Sequence, residues 1–218
     1  MNSTKSLARI KNGLFFLCLI PSLEFFRVLI SSTPSASSVE HLQRWTGSWA
    51  FNLLLLTLMI TPLRALTQQH WLIRLRRMLG LFSFFYASLH AATFFGIDHV
   101  FVADEIARDV LKRPFVVIGF AAYALLLALA VTSNQQAIRT LGGRRWMDLH
   151  RSIYPTAILA ALHYLWLSKW ADFAWPLAYA LAVGLLLGWR VKIWRHKAVP
   201  VPRVAILKPM KYFRKPND

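Results

Sequence analysis

Three histidines carry most of the chemistry this sequence offers: His90, His150 and His163. Each lies inside a long apolar stretch, where an ionisable side chain is costly and is a functional candidate by default. A neutral imidazole is also a common ligand of transition metals. His90 falls twelve residues after Met78 and His163 sixteen after Met147, and each is six residues before the far membrane edge, at Gly96 and Lys169. Two helices running in the same direction would therefore hold both rings at one depth, placed to take the two axial positions of a single heme iron. Small residues nearby, Ala87 and Ala91 on one stretch and Ala160 and Ala161 on the other, leave room for a flat macrocycle. No Cys-x-x-Cys-His motif occurs, so such a heme would be of b type, held without covalent bonds. His150 lies thirteen residues before His163, about 20 Å nearer the opposite surface along a continuous helix. The residue thirteen before His90 is Arg77, not a second imidazole. An inner bis-histidine heme is thus unsupported, and the expectation is one heme b per chain, or two if His150 alone ligates a second. Single-histidine ligation by His150, or its hydrogen bonding to another cofactor, stays open.

The remaining candidates are fewer. Glu24 and Arg27 are spaced to pair on one helix face. They form either a structural ion pair or a site where Arg27 neutralises a cofactor carboxylate. Asp148 and Arg151 lie at an inner edge. His41, His70, His99 and His196 fall outside or beside the apolar stretches and read as solvated loop histidines. Cys18 is the only cysteine, which excludes a disulfide scaffold, and it reads as a small packing residue. There is no glycine-rich dinucleotide fingerprint and no close ligand set for zinc.

The elements that must position these residues are legible in the composition. Of 218 residues, 56% are hydrophobic and 16% charged, which excludes disorder. Six stretches reach the length that a membrane helix needs: Gly13–Ile30, Trp45–Leu63, Met78–Gly96, Phe115–Thr132, Met147–Leu167 and Phe173–Trp189. Pro155 marks a kink in the fifth. No stretch alternates as a membrane β-strand does. The expected fold is all-α, a polytopic bundle of six transmembrane helices in one domain over residues 1–218, with its core at 42–190 and a basic tail at 191–218. The first stretch has the basic start of a secretory signal, but Glu24 and Arg27 after its apolar run are unusual for a cleaved one.

Charge sets the orientation. The formal net charge is +17. The N-terminal end, the second and fourth connections and the tail from Arg190 together hold nineteen basic residues and one acid, whereas residues 31–44, 97–114 and 168–173 hold five basic and six acidic. The positive-inside rule then places both termini in the cytoplasm. The same asymmetry accounts for the net charge without nucleic acid, since no basic soluble domain is present to bind one. Trp45, Trp49, Trp166, Trp170 and Trp175 mark the outer surface, and Trp146, Trp189 and Trp194 the inner.

Over residues 42–190 the sequence resembles the MsrQ (YedZ) family of the ferric-reductase-like transmembrane group. The resemblance runs through Thr46-Gly47, Thr61-Pro62-Leu63, Leu72-Ile73-Arg74, Arg76-Arg77-Met78-Leu79-Gly80-Leu81, Leu89-His90, Arg113-Pro114 and Thr132-Ser133. It is strongest at Leu141-Gly142, Trp146, Leu149-His150, Tyr154 and Leu162-His163-Tyr164-Leu165-Trp166. It implies a multi-pass protein of the bacterial inner membrane that binds b-type heme through His90, His150 and His163 and is associated with flavin mononucleotide (FMN). It further implies electron transfer from the quinone pool to a periplasmic molybdenum-containing reductase, MsrP, which repairs oxidised methionines in envelope proteins. No flavin-binding residue follows from it. Arg76 and Arg77 face the cytoplasm and could contact a flavin phosphate or serve only as positive-inside anchors.

Two functions of different class follow. In the first, the chain is an electron-transfer subunit rather than a catalytic one, and the outer acids Asp98, Asp104, Glu105 and Asp109 help dock its partner. In the second, it is a ferric or oxygen reductase that depends on a separate cytoplasmic flavin reductase. A non-redox anchor or transporter is the third possibility, and the colour of the purified protein separates it from both.

Overall fold

A backbone crossing a bilayer must satisfy its own polar groups, and the α-helix does so within one segment. The computed structural model describes residues 3–31, 35–168 and 173–197, and every long element among them is helical. The helices are α1 (Ser3–Ser31), α2 (Ala36–Thr67), α3 (Ile73–Ala92), α4 (Ala103–Lys112), α5 (Pro114–Val131), α6 (Gln135–Leu141), α7 (Gly143–His150), α8 (Ile153–Leu167) and α9 (Ala174–Lys197). A π-helical segment, Thr93–Asp98, extends α3. The chain is a polytopic helical membrane protein. Five of its helical segments are long and apolar enough to cross a membrane: Leu7–Ile30, Ala36–Thr67, His70–Asp98, Pro114–Val131 and Ala174–Ile193.

The stretch expected as one span over Met147–Leu167 is divided. α7 stops at His150, the chain turns at Arg151 and Ser152, and α8 begins at Ile153. Pro155 supplies the reason. A proline ring clashes with the carbonyl four residues back and brings no N–H to bond it, and the residue four back is Arg151. Pro155 itself is tolerated because it sits in the first turn of α8. With 15 residues, α8 spans about 22 Å.

The bundle is built from two closely packed helix pairs, α2 with α3 and α5 with α8, and α9 lies against α2 and α8. One core cluster joins Phe51, Leu54 and Leu58 of α2 to Leu126 and Leu129 of α5, Ile153, Ala157 and Ala161 of α8 and Val183 of α9. On α8 the buried residues Ile153, Thr156, Ala157 and Ala161 fall at helical spacing on one face. A second cluster places Cys18 of α1 among Leu53, Ile60, Leu75, Leu79, Phe82 and Tyr86, in the packing role expected for it. Hydrogen bonds tie α1 in, among them those from Tyr86 Oη to the Cys18 carbonyl at 2.7 Å and from Trp45 Nε1 to the Pro21 carbonyl at 2.9 Å. Lys169, Trp170 and the tail beyond Lys197 lie outside the described residues.

Candidate functional site

His90 stands near the end of α3 and His163 near the end of α8, one in each helix pair. The structure brings their rings together, with centroids 6.2 Å apart and planes at 82°. Each ring is held from the partner helix of its own pair. His90 Nδ1 donates to the main-chain carbonyl of Gln43 on α2 at 3.0 Å, and His163 Nδ1 to that of Phe115 on α5 at 2.7 Å. A carbonyl only accepts, so both Nδ1 atoms carry the proton and both Nε2 atoms keep a free lone pair.

The same local device builds both holds. Gly47 lies four residues after Gln43, and Gly119 four after Phe115. In a helix, the side chain at i+4 leans back over residue i. Any side chain at 47 or 119 would therefore occupy the place of the ring. A Cβ on Gly47 would come 3.2 Å from Nδ1 and Cε1 of His90; one on Gly119 would come 2.8 Å from His163 Nδ1. Glycine is what lets each imidazole reach the carbonyl. Neither the glycine spacing nor the acceptors Gln43 and Phe115 were anticipated as part of the site. Of the four alanines expected to make room, Ala87, Ala160 and Ala161 pack into the core cluster around Phe51 and Leu58.

This arrangement fits a heme iron. An imidazole nitrogen binds a first-row metal at about 2 Å, and the ring centre lies about 1 Å beyond it, so two axial imidazoles have centres roughly 6 Å apart. Hydrogen bonding of the second ring nitrogen to a carbonyl is the usual way a metal-binding tautomer is fixed. Among the described residues no group of three His, Cys, Asp or Glu side chains could hold a metal ion.

His150 stands apart from the pair, at the end of α7. Its Nδ1 donates to the Trp146 carbonyl at 3.1 Å, its ring stacks on the Trp146 indole with centroids 3.8 Å apart, and its Nε2 lies 3.4 Å from Ser133 Oγ. No other histidine contacts it among the described residues. The break at Arg151 also removes the continuous helix on which its distance from His163 was reckoned.

The other candidates sort as follows. Arg27 binds Glu24 through two 2.7 Å hydrogen bonds, and His41 Nε2 lies 3.3 Å from the same carboxylate. His41 is therefore a helical residue in an ion-pair cluster, stacked on Trp45, not a loop histidine. His99 is not solvated either. It is 9% exposed, packed on the Phe94 ring at 4.4 Å, with its ring nitrogens 3.6 Å from Asp98 and from Asp109. Of the outer acids, Asp98 accepts from the Gln43 side chain and Asp109 pairs with Arg113. Asp104 and Glu105 are exposed at the start of α4. Asp148 and Arg151 pair with each other at 2.7 Å on the surface. His70 is exposed, Arg77 points outward and Arg76 is half-buried; the side chain of His196 lies outside the described residues.

Arg190, read from the sequence as the start of the tail, is 5% exposed. Its guanidinium lies 4.8 Å from the Tyr154 ring centre, donates to Tyr154 Oη at 2.6 Å, and donates to the Leu58 carbonyl and Thr61 Oγ1 at 3.0 Å each. Arg190 lies seven residues after buried Val183. Two turns of helix return to the same face, and that spacing was the signal for its burial.

Comparison with known proteins agrees with this architecture. Residues 46–161 match the family model described as "Ferric reductase like transmembrane component". The match contains His90 and His150 and stops two residues short of His163. A protein of Azospira oryzae is 49% identical over 86% of this chain and 80% of its own length. Proteins of Herminiimonas arsenicoxydans (45% identical, 87% of each chain) and Bordetella pertussis (45% identical, 88% of this chain and 93% of the relative) are similar. All three are named protein-methionine-sulfoxide reductase heme-binding subunit MsrQ. With identities of this size sustained over most of its length, the chain belongs to the ferric-reductase-like transmembrane family and, within it, to the MsrQ family.

Proposed function

We propose that this chain is the heme b electron-transfer subunit of a protein-methionine-sulfoxide reductase system, carrying electrons across the bacterial inner membrane. The observation behind the reading is the His90–His163 ring pair, 6.2 Å between centroids, with both Nδ1 atoms fixed on main-chain carbonyls. In this reading His90 and His163 are the two axial ligands of one heme. His150 serves an inner cofactor site beside Trp146 and Ser133. When bound, heme supplies a one-electron carrier. The chain's part is to present two neutral imidazoles, to hold them at fixed spacing through Gln43 and Phe115, and to keep water from the iron by bundle packing. Two strong axial ligands suit electron transfer rather than oxygen binding.

The wider circuit follows the family. The membrane quinone pool is the electron source, with FMN as an intermediate carrier near the cytoplasmic side. A periplasmic molybdenum-containing reductase, MsrP, is the acceptor and repairs oxidised envelope proteins. The topology proposed is one domain over residues 1–218 with six crossings and both termini cytoplasmic. The charge asymmetry between alternate connections supports it.

A pyridine hemochrome assay with iron counted per chain tests the cofactor. Heme b at one or two per chain is the expected result; colourless protein, unchanged by heme supply, would favour a non-redox anchor. Proteoliposomes loaded with a quinol, with purified MsrP outside, test the direction of flow. The family description also favours a second reading, a transmembrane reductase of ferric iron served by a separate cytoplasmic flavin reductase. It predicts reduction of an external ferric chelate without MsrP.

A further inference from the structure

His99 and Asp109 face each other across the turn that joins the π-helical end of α3 to α4, and in the neutral state neither donates to the other. The His99 ring is buried, and its Nδ1 donates to the Phe94 carbonyl at 3.0 Å. The other nitrogen of a neutral imidazole is then an acceptor. That acceptor, Nε2, lies 3.6 Å from Oδ2 of Asp109, a buried oxygen without a hydrogen-bond partner. The spacing is too long for a hydrogen bond and too short for a water on the line between the two atoms. The second carboxylate oxygen of Asp109 is already fixed, because Arg113 Nε donates to Oδ1 at 2.9 Å. Asp98 Oδ2 lies 3.6 Å from His99 Nδ1 and accepts from the Gln43 side chain of α2 at 3.1 Å. Among the described residues, the charged groups that meet the His99 ring are thus Asp98 at the end of α3 and Asp109 on α4, with Arg113 behind Asp109. α2 contributes the neutral Gln43, and α5 the Phe120 ring that packs on Phe94.

One proton changes this contact from two facing acceptors to a cationic donor beside an anionic acceptor. Such pairs close to about 2.7–2.9 Å, so Nε2 and Oδ2 would draw together and pull α4 with them. α4 has little else to hold it, since none of its ten residues is buried. An imidazole gains its proton as pH falls from about 8 to about 5. We propose that His99 and Asp109 form a proton-operated clasp, closed when His99 is protonated and released when it is neutral, which sets how firmly α4 is held on the end of α3. The clasp is present at low pH and lost as pH rises. α4 carries the exposed acids Asp104 and Glu105, so the clasp governs how they are presented. The topology proposed above decides only that the outer compartment supplies the proton. The heme reading is not needed, because the bonds that hold His90 and His163 involve neither His99 nor Asp109.

Hydrogen exchange tests the clasp in the full chain, held in phosphatidylcholine nanodiscs at about pH 5 and about pH 8. Amide exchange over residues 103–112 is followed by mass spectrometry and corrected for the intrinsic effect of pH. In the parent it should be roughly tenfold slower at the lower pH, the effect of one hydrogen bond to a charged group. Asp109→Asn distinguishes the clasp from simple loss of a charge. Arg113 keeps the amide oxygen at the Oδ1 position, so the amide nitrogen faces His99 Nε2 and donates to it without an added proton. Exchange in Asp109→Asn should therefore be slow at both pH values, and slower than in the parent at the higher one. His99→Phe keeps a ring but no nitrogen, and its exchange should be fast at both. Should His99→Phe fail to fold, nitrogen resonances of the histidine-labelled parent carry the test, with the His99 signals identified by their loss in His99→Gln. Nε2 should be without a proton at the higher pH and protonated at the lower. Parent exchange that ignores pH, a pH effect that survives in His99→Phe, faster exchange in Asp109→Asn than in the parent at the higher pH, or an Nε2 signal that does not change overturns the proposal. Heme content, read from the same samples, reports separately on the proposed function.

Discussion

Arg190 donates to the carbonyl of Leu58, and Leu58 is the residue whose helical partner on α2 is Pro62. A proline has no N–H to return to the carbonyl four residues back, so an arginine from α9 makes the hydrogen bond that the helix cannot. Thr61, next to that proline, gives the guanidinium a second acceptor. Three helices thus meet at one side chain: α9 through Arg190, α2 through Leu58 and Thr61, α8 through Tyr154.

This relationship predicts a coupling. Pro62→Ala restores a main-chain donor to Leu58, so Arg190→Gln should cost less stability in that background than in the parent. A double-mutant cycle by detergent-denaturant titration should give a coupling of about 1 kcal/mol. Strictly additive costs would mean that the two residues do not share the carbonyl.

The glycines beside the histidines should not tolerate a methyl group equally. Gly119→Ala would set a Cβ 2.8 Å from His163 Nδ1, closer than the ring can accept without moving, while Gly47→Ala would set one 3.2 Å from His90. Overpacking of this kind costs about 1–3 kcal/mol. Heme content per chain should fall several-fold in Gly119→Ala and less in Gly47→Ala. Full heme occupancy with an unchanged spectrum in Gly119→Ala would show that the ring does not need that approach.

Docking at the outer surface should depend on the acids that are free to meet a partner. Asp104 and Glu105 are exposed, whereas Asp109 is engaged by Arg113. Asp104→Asn with Glu105→Gln should slow transfer to MsrP several-fold at low salt. The difference should shrink towards 0.5 M salt, where screening is effective within roughly 5 Å. Unchanged transfer at low salt would remove these two residues from docking.

Depth along a helix was readable for His90 and His163 because both are counted from the same membrane face, and their rings do meet. The count from His150 to His163 assumed one continuous helix, and the chain breaks it at Arg151 and Ser152, just ahead of Pro155. The cradle glycines were hidden for a different reason. Gly47 and Gly119 act on rings from other helices, and no periodicity within α2 or α5 reveals that. Arg190 was misplaced by its type. A basic residue after a tryptophan at a span edge reads as an interfacial anchor, yet its spacing from Val183 puts it on the buried face. His99 likewise looks like a loop residue until the turn after the π-helical segment folds it between Asp98 and Asp109.

The central claim is that His90 and His163 together ligate one iron. Low-temperature electron paramagnetic resonance of the ferric protein measures it in the parent and in His90→Ala, His163→Ala and His150→Ala. The account predicts a low-spin signal in the parent that is lost or converted to high-spin in both His90→Ala and His163→Ala and retained in His150→Ala. Loss of that signal in His150→Ala with its survival in His163→Ala would contradict the account and make His150 the partner of His90.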